Sequence, residues 1–140
     1  MRHFKAYSCL RWTIAAFCLA LSACDSGPTP SMPAQAWEDI RIQVETRPPL
    51  AARGMNEFLV IASREQSKPV HNLIVSLRIN EDGRWHQAIQ DGHVGVYRRA
   101  IAVADPANDV LYVRVDRDNR QGLLRFPLSE QIASVKTSAP

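Results

Sequence analysis

Apolar and polar residues alternate along much of the chain, which is the pattern of strands that bury one face. Ile40, Ile42 and Val44 are separated by polar residues, and residues 70–80 alternate in the same way. A period of two indicates half-buried β-strands, because successive side chains of a strand point to opposite faces of its sheet. Residues 56–63 are almost continuously apolar, as expected of a central strand that is covered on both faces.

Turn signals separate these stretches at regular intervals. Asp82-Gly83 and Asp91-Gly92 are dipeptides typical of tight hairpins, because such turns favour residues that tolerate a left-handed backbone. Further alternating segments lie at residues 85–90, 95–103, 111–115 and 124–128. With about seven strands and no helical period of usable length, the sequence predicts an all-β, antiparallel sandwich of the immunoglobulin-like type.

The same pattern predicts how the chain is divided. The sandwich is expected to occupy residues 37–128. Residues 24–36 precede it and are rich in proline, serine and glycine, which predicts a tether without regular structure. Residues 129–140 are small and polar, and we expect a polar tail there with room for one helical turn.

Residues 1–23 have the composition of a signal peptide. Arg2, Lys5 and Arg11 form a basic head, and residues 12–20 form an apolar stretch that is too short to span a bilayer. Export from the cytoplasm is therefore the expected fate of the rest of the chain. An uncleaved signal anchor and an ordinary secretory signal are the alternatives.

The segment Leu21-Ser22-Ala23-Cys24 directly follows and resembles the lipobox of bacterial lipoproteins. The resemblance implies cleavage before Cys24, a diacylglyceryl group on its thiol and acylation of the new amine with a fatty acid such as palmitate. Two acyl chains hold a protein stably at a bilayer, whereas one chain binds only marginally. We therefore expect a lipid anchor at Cys24.

Asp25 resembles a sorting residue, because an aspartate at this place retains some lipoproteins in the inner membrane. The expected location is the periplasmic side of a bacterial cell membrane, with the inner membrane favoured by Asp25 and the outer membrane as the alternative.

Loss of residues 1–23 would change both the charge and the cysteine content. Of the 17 Lys and Arg residues, all but three follow residue 23, and they balance the 14 Asp and Glu residues. A chain without net charge gives no electrostatic reason for nucleic-acid binding, so we expect no such partner. Cys9 and Cys18 would leave with the signal peptide and Cys24 would carry lipid, so no thiol would remain for a disulfide or a metal.

Several short motifs resemble the small periplasmic β-sandwiches of the FixH and YtkA-like group. They are Pro48-Pro49, residues 54–60, Lys68-Pro69-Val70, Leu73-Ile74-Val75 and Gly95-Val96-Tyr97. The resemblance covers residues 40–126 and implies an immunoglobulin-like sandwich. It also implies a link to respiratory-oxidase or copper assembly, in which some of the group take part. Tyr97 resembles the corner tyrosine of such domains.

Three histidines are weak candidates for a metal site. His86 and His93 lie on either side of the predicted Asp91-Gly92 turn, so a hairpin would bring them close, and His71 is the third. Their spacing is not that of a metal motif, so a solvated surface role is the simpler interpretation and we expect no cofactor. No serine or cysteine lies in a nucleophile motif either, and the sequence predicts no enzyme.

The remaining candidates lie on the outward positions of the strands. Tyr112, Ile74 and Leu59 are out of phase with the inward stripes. This predicts either an exposed interface, or sheets that are partly covered on both faces or shifted in register by bulges. Arg78 and Arg114 are expected to pair with acidic residues across the strands. The favoured function is a lipid-anchored periplasmic binding or accessory protein that contacts another envelope protein without catalysis. The alternative is periplasmic copper handling for oxidase assembly.

Overall fold

The computed structural model describes residues 31–138, without the side chains of residues 132 and 135–138. The predicted signal peptide, the predicted lipidation residue Cys24 and the predicted sorting residue Asp25 lie outside the described residues. Within the described part of the chain, no helix is both long enough and apolar enough to cross a membrane.

Nine β-strands make up most of residues 31–138 and form two antiparallel sheets. In chain order they are β1 (Gln35–Trp37), β2 (Ile40–Arg47), β3 (Gly54–Ser63), β4 (Ile74–Ile79), β5 (His86–Gln87), β6 (Ile89–Asp91), β7 (Val96–Val103), β8 (Val110–Arg117) and β9 (Arg120–Pro127). The sheets have the orders β1-β2-β3-β7-β6 and β5-β4-β8-β9. Strands β2, β3, β7 and β6 take the places of strands A, B, E and D of an immunoglobulin domain, and β4, β8 and β9 take those of C, F and G. The predicted sandwich is confirmed.

The core lies between the sheets and is filled by the aliphatic stripes that the alternation predicts. Each buried valine or leucine contributes about 1.5–3 kcal/mol relative to an exposed one. Together these side chains hold the two sheets face to face. The stripes of β2, β4 and β8 consist of Ile40, Ile42, Val44, Val75, Leu77, Leu111, Val113 and Val115.

Residues 85–90 form two short strands instead of the single strand that the sequence predicts. β5 pairs with β4 in the four-stranded sheet, whereas β6 pairs with β7 in the five-stranded sheet. Between them, Ala88 is buried and donates its backbone N–H to the carbonyl of Val75 at 2.8 Å. The chain therefore crosses from one sheet to the other at Ala88, which adds a strand to the predicted seven.

Both predicted hairpins form, but loops longer than two residues connect their strands. The loops span residues 80–85 and 92–95. The left-handed residue of the first loop is Asn80 (φ 58°), and not the predicted Asp-Gly dipeptide. A turn with two left-handed residues occurs instead at Asp118 and Asn119 (φ 48° and 62°), between β8 and β9.

The folded part of the chain begins earlier than residue 37. Met32 is only 1% exposed and belongs to the core. The ring of Trp37 packs so closely on Gly122 that a Cβ at that glycine would lie 2.4 Å from it. The Trp37 contact lays β1 against β9. The predicted tether of residues 24–36 is therefore wrong from Met32 onward, because a methionine among prolines shows no strand periodicity that would reveal its burial.

The C-terminal segment forms a helix, α1 (Ser129–Ser138), where the sequence predicts a polar tail. Its Gln131 side chain is fully buried. The Gln131 Oε1 accepts the backbone N–H of Ala51 at 3.0 Å, and its Nε2 donates to the Thr46 hydroxyl at 2.9 Å. One polar side chain thereby fixes the helix to the end of β2 and to the loop that follows it, which a polar sequence pattern does not reveal.

Tyr97 links the two sheets where the chain passes from β3 to β4. Its hydroxyl donates to the carbonyl of Val70 at 3.0 Å and accepts the backbone N–H of Leu73 at 3.2 Å. Burial raises the pKa of the Tyr97 hydroxyl, so it stays protonated and able to donate. The corner tyrosine of immunoglobulin domains lies near the start of strand F, whereas Tyr97 lies on β7 in the place of strand E.

The buried stripe of β4 can be tested by Leu77→Asp. An unpaired carboxylate in the core should destabilise the protein by about 4 kcal/mol or more, a large part of the stability of an ordinary domain. The measurement is urea denaturation followed by circular dichroism. Leu123→Asp is the matched control, because Leu123 is 56% exposed in the same sheet. Equal stability of the two variants would contradict the assigned strand phase.

The Tyr97 contacts can be tested by Tyr97→Phe, which leaves the buried N–H of Leu73 without its partner. We expect a loss of about 1–3 kcal/mol in the free energy of unfolding, from the desolvated group that remains. Tyr112→Phe is the control, since its hydroxyl bonds only to side chains. If Tyr97→Phe costs no more than the control, the hydroxyl does not hold the crossing.

Candidate functional site

Strand alternation directs one set of side chains of the four-stranded sheet away from the core. In this outward set, Arg78 lies opposite Tyr112, and Tyr112 lies opposite Arg125. Arg114 follows two residues after Tyr112 and therefore shares its face. Trp85, just before β5, contacts Arg78 and Arg114. We name these five residues the arginine–aromatic ladder.

Cations and rings alternate along the ladder. The Cζ atom of Arg78 lies 4.5 Å from the ring centroid of Trp85 and 5.2 Å from that of Tyr112. Arg114 lies 4.7 Å from the Trp85 ring, and Arg125 lies 5.4 Å from the Tyr112 ring. Such contacts are attractive because the face of an aromatic ring carries negative charge. They hold the guanidinium groups in place along the sheet.

Among the three cations of the ladder, Arg78 alone has neither an anion nor a hydrogen-bond acceptor within the described residues. It is half-buried and its Nε is shielded from solvent, yet it makes no hydrogen bond or ion pair with any described residue. The Nε of Arg114 lies 3.5 Å from a carboxylate oxygen of Asp116, and that of Arg125 donates to the Tyr112 hydroxyl at 3.1 Å. Because partial burial removes hydration from an unpaired charge, an external carboxylate would be stabilised most strongly at Arg78.

The face combines this charge with exposed aliphatic groups. Ile74 is 55% exposed, as its phase predicts, and Leu123 is 56% exposed beside the ladder, opposite Arg114. The sequence pattern does not reveal Leu123, because a second leucine follows it and hides the alternation. The expected pairing of Arg78 and Arg114 with acidic residues across the strands is wrong for both. Among the described residues Arg78 has no acidic partner, and Arg114 contacts Asp116 of its own strand.

Tyr112 and Leu59 are covered, although their phase allowed exposure. Tyr112 is 4% exposed because Arg78 and Arg125 lie over its ring, and its hydroxyl donates to Glu81 at 2.9 Å. Leu59, on the five-stranded sheet, is 8% exposed. For Tyr112 and Leu59, therefore, the outward face of the sheet is covered and the alternative of an exposed interface does not apply.

A second charged cluster joins the β1–β2 turn to the β8–β9 turn. Arg117, with a side chain 7% exposed, lies 3.2 Å from Glu38 and 3.1 Å from Asp39. Arg120 contacts Glu38 at 2.9 Å, and Arg64 contacts Asp39 at 2.7 Å. Desolvation raises the pKa of Asp39, but hydrogen bonds from Arg117, the backbone and Arg64 outweigh it and hold this pKa below its ordinary value. The acidic residues of this cluster already have cationic partners within the protein. We therefore assign the cluster a structural role, in which its ion pairs tie the two turns together.

The structure brings together two of the three candidate histidines. The ring centroids of His71 and His93 lie 5.4 Å apart, with the rings inclined at 64°. We name these two residues the histidine pair. His86 lies on β5, and among the described residues no ring contact joins it to either of them. The predicted approach of His86 to His93 is replaced by this pair, because the chain changes sheets at Ala88 between them.

No group of three or more histidine, cysteine, aspartate or glutamate residues within the described part of the chain could hold a metal ion. The histidine pair can thus offer two ligands and no more from these residue types. The described residues therefore offer two separate candidate sites, the arginine–aromatic ladder and the histidine pair.

Comparison with known proteins identifies no relative from which a function could be inferred. No protein-family model matches the chain, and neither a curated protein nor a solved structure matches it. The resemblance to the FixH and YtkA-like group stays a prediction from short motifs. The geometry of the ladder and of the histidine pair is what supports a function.

Proposed function

We propose that this protein is a lipid-anchored periplasmic binding protein that holds an acidic segment of another envelope protein against the arginine–aromatic ladder. The observation that carries the proposal is Arg78, a half-buried guanidinium between two rings with no anionic partner among the described residues. A carboxylate from a partner would supply the missing charge.

Charge complementarity favours an acidic partner. The ladder presents the guanidinium groups of Arg78, Arg114 and Arg125, and the carboxylates in contact with it are those of Asp116 and Glu81. Guanidinium groups bind carboxylates through two parallel hydrogen bonds. A guanidinium already stacked on a ring loses less freedom when it binds, so the ladder is prepared for this contact.

The shape of the face favours a macromolecule over a small ligand. Small-molecule sites are concave and enclose most of the ligand, whereas the ladder lies on the outer surface of a sheet. Tryptophan, tyrosine and arginine are the residues that most often dominate protein interfaces. Ile74 and Leu123 would add apolar contacts on the same face. The partner segment is therefore expected to combine carboxylates with aliphatic or aromatic side chains.

The proposed anchor restricts where the partner lies. If Cys24 carries the lipid, residues 25–31 connect it to the buried Met32. Even fully extended, so few residues span at most about 25 Å. A partner of the ladder would then be a protein in the same membrane or close to its surface.

Arg78→Gln tests the proposed binding face. The probe is a synthetic peptide rich in Asp, Glu and Leu, titrated into the protein purified from membranes in detergent while tryptophan fluorescence is recorded, to which Trp85 of the ladder contributes. Removing one charged hydrogen-bond partner should weaken binding about 10- to 100-fold, since such bonds contribute about 1.5–3 kcal/mol.

Arg41→Gln is the matched control, because Arg41 is exposed on the other sheet and forms no ion pair with another described residue. The control should bind like the unaltered protein, and binding should weaken with added salt. The proposal fails if a lysine-rich peptide of the same length binds equally well, or if both variants keep full affinity.

Cys24→Ala tests the anchor separately. Without the thiol that would carry lipid, we expect an uncleaved or soluble species and no incorporation of labelled palmitate. Membrane fractionation and gel mobility provide the measurement, with Cys18→Ala as the control that should keep the label. Unchanged mobility and labelling in Cys24→Ala would refute the lipoprotein assignment while leaving the binding face untouched.

A further inference from the structure

The spacing of the histidine pair matches that of two imidazoles bound to one metal ion. With metal–nitrogen bonds of about 2.0–2.1 Å and a tetrahedral angle, two ligand rings have their centroids about 5 Å apart. The rings of His71 and His93 are 5.4 Å apart and inclined at 64°. Rotation of the two side chains alone would therefore bring both imidazoles onto one ion, without a displacement of the backbone.

The nitrogen atoms of the pair are free to bind an ion. Neither His71 nor His93 makes a hydrogen bond or ion pair with any described residue, and both side chains are exposed. A neutral imidazole nitrogen is the commonest protein ligand of transition metals. The pair thus has both the donor atoms and the access that a metal site needs.

The two segments that carry the histidines are fixed to each other. Val70, next to His71, donates its N–H to the carbonyl of Ala62, and Tyr97 bonds to the Val70 carbonyl. Gly95, two residues after His93, accepts the N–H of Ala62 at 2.8 Å. A Cβ at Gly95 would lie 2.9 Å from the Val70 nitrogen, so only glycine allows this close approach. Such support keeps the rings near each other before an ion arrives.

We propose that His71 and His93 form a binding site for a divalent transition-metal ion of the Zn(II), Ni(II) or Cu(II) class. Imidazole suits these ions, and the Irving–Williams order predicts that Cu(II) binds most tightly. Since no third histidine, cysteine or carboxylate joins the pair within residues 31–138, water or a group from another molecule completes the coordination. The bound ion is consequently exchangeable. The site uses none of the ladder residues and goes beyond the proposed function.

The test is a titration of the tag-free protein, purified from membranes in detergent, with ZnCl₂, NiCl₂ and CuSO₄. For Zn(II), imidazole resonances are followed residue by residue by NMR, so that an ion bound elsewhere in the chain is not counted. Ni(II) and Cu(II) are paramagnetic and should broaden the signals of His71 and His93 first. We expect dissociation constants in the micromolar range, with Cu(II) the tightest.

Single substitutions then identify the ligands. His71→Gln and His93→Gln should each weaken metal binding at least about tenfold. Even the loss of a residue that only hydrogen-bonds to a metal ligand lowers metal affinity about 10- to 100-fold, and here a ligand itself is removed. His86→Gln is the matched control and should bind unchanged, since His86 lies outside the pair. Circular dichroism verifies that each variant is folded. No binding tighter than millimolar, equal weakening in the control, or full affinity in the double variant would overturn the proposal.

Discussion

The hydroxyl of Tyr97 is the interaction on which most of this arrangement depends. It bonds to the backbone on both sides of His71, at the point where the chain leaves one sheet and enters the other. The same contact fixes the segment that leads into β4, one of the strands that carry the ladder. It also holds His71 beside the loop that carries His93. The histidine pair thus rests directly on this buried polar contact.

The two sites differ in how the fold creates them. The ladder follows from strand alternation, because a face that is turned away from the core must present whatever lies at the outward positions of three neighbouring strands. The histidine pair follows from loop contacts, with no periodicity behind it. A substitution in the core would disturb the ladder through the register, whereas a change at Gly95 would disturb the pair through the loops.

Sequence reasoning succeeded where the hydrophobic period was strong and failed where single contacts decided. The inward stripes of β2, β4 and β8 were predictable, since burial of alternate residues is a local property. The burial of Met32 and Gln131 was not, because each depends on one partner far along the chain. The same holds for Tyr112, whose ring is covered by arginines from two neighbouring strands.

The sequence by itself determined the all-β sandwich and identified His71, His93, Arg78 and Arg114 as the residues worth examining. Its predictions for the signal peptide and Cys24 concern residues outside the described structure. Only the tertiary structure decided which candidates meet. It paired His93 with His71 and placed Arg78 between two rings with no carboxylate of residues 31–138 in contact. The physical reason is that periodicity specifies the face on which a side chain lies, whereas its neighbours come from other strands, whose register is set by the packing of the whole core.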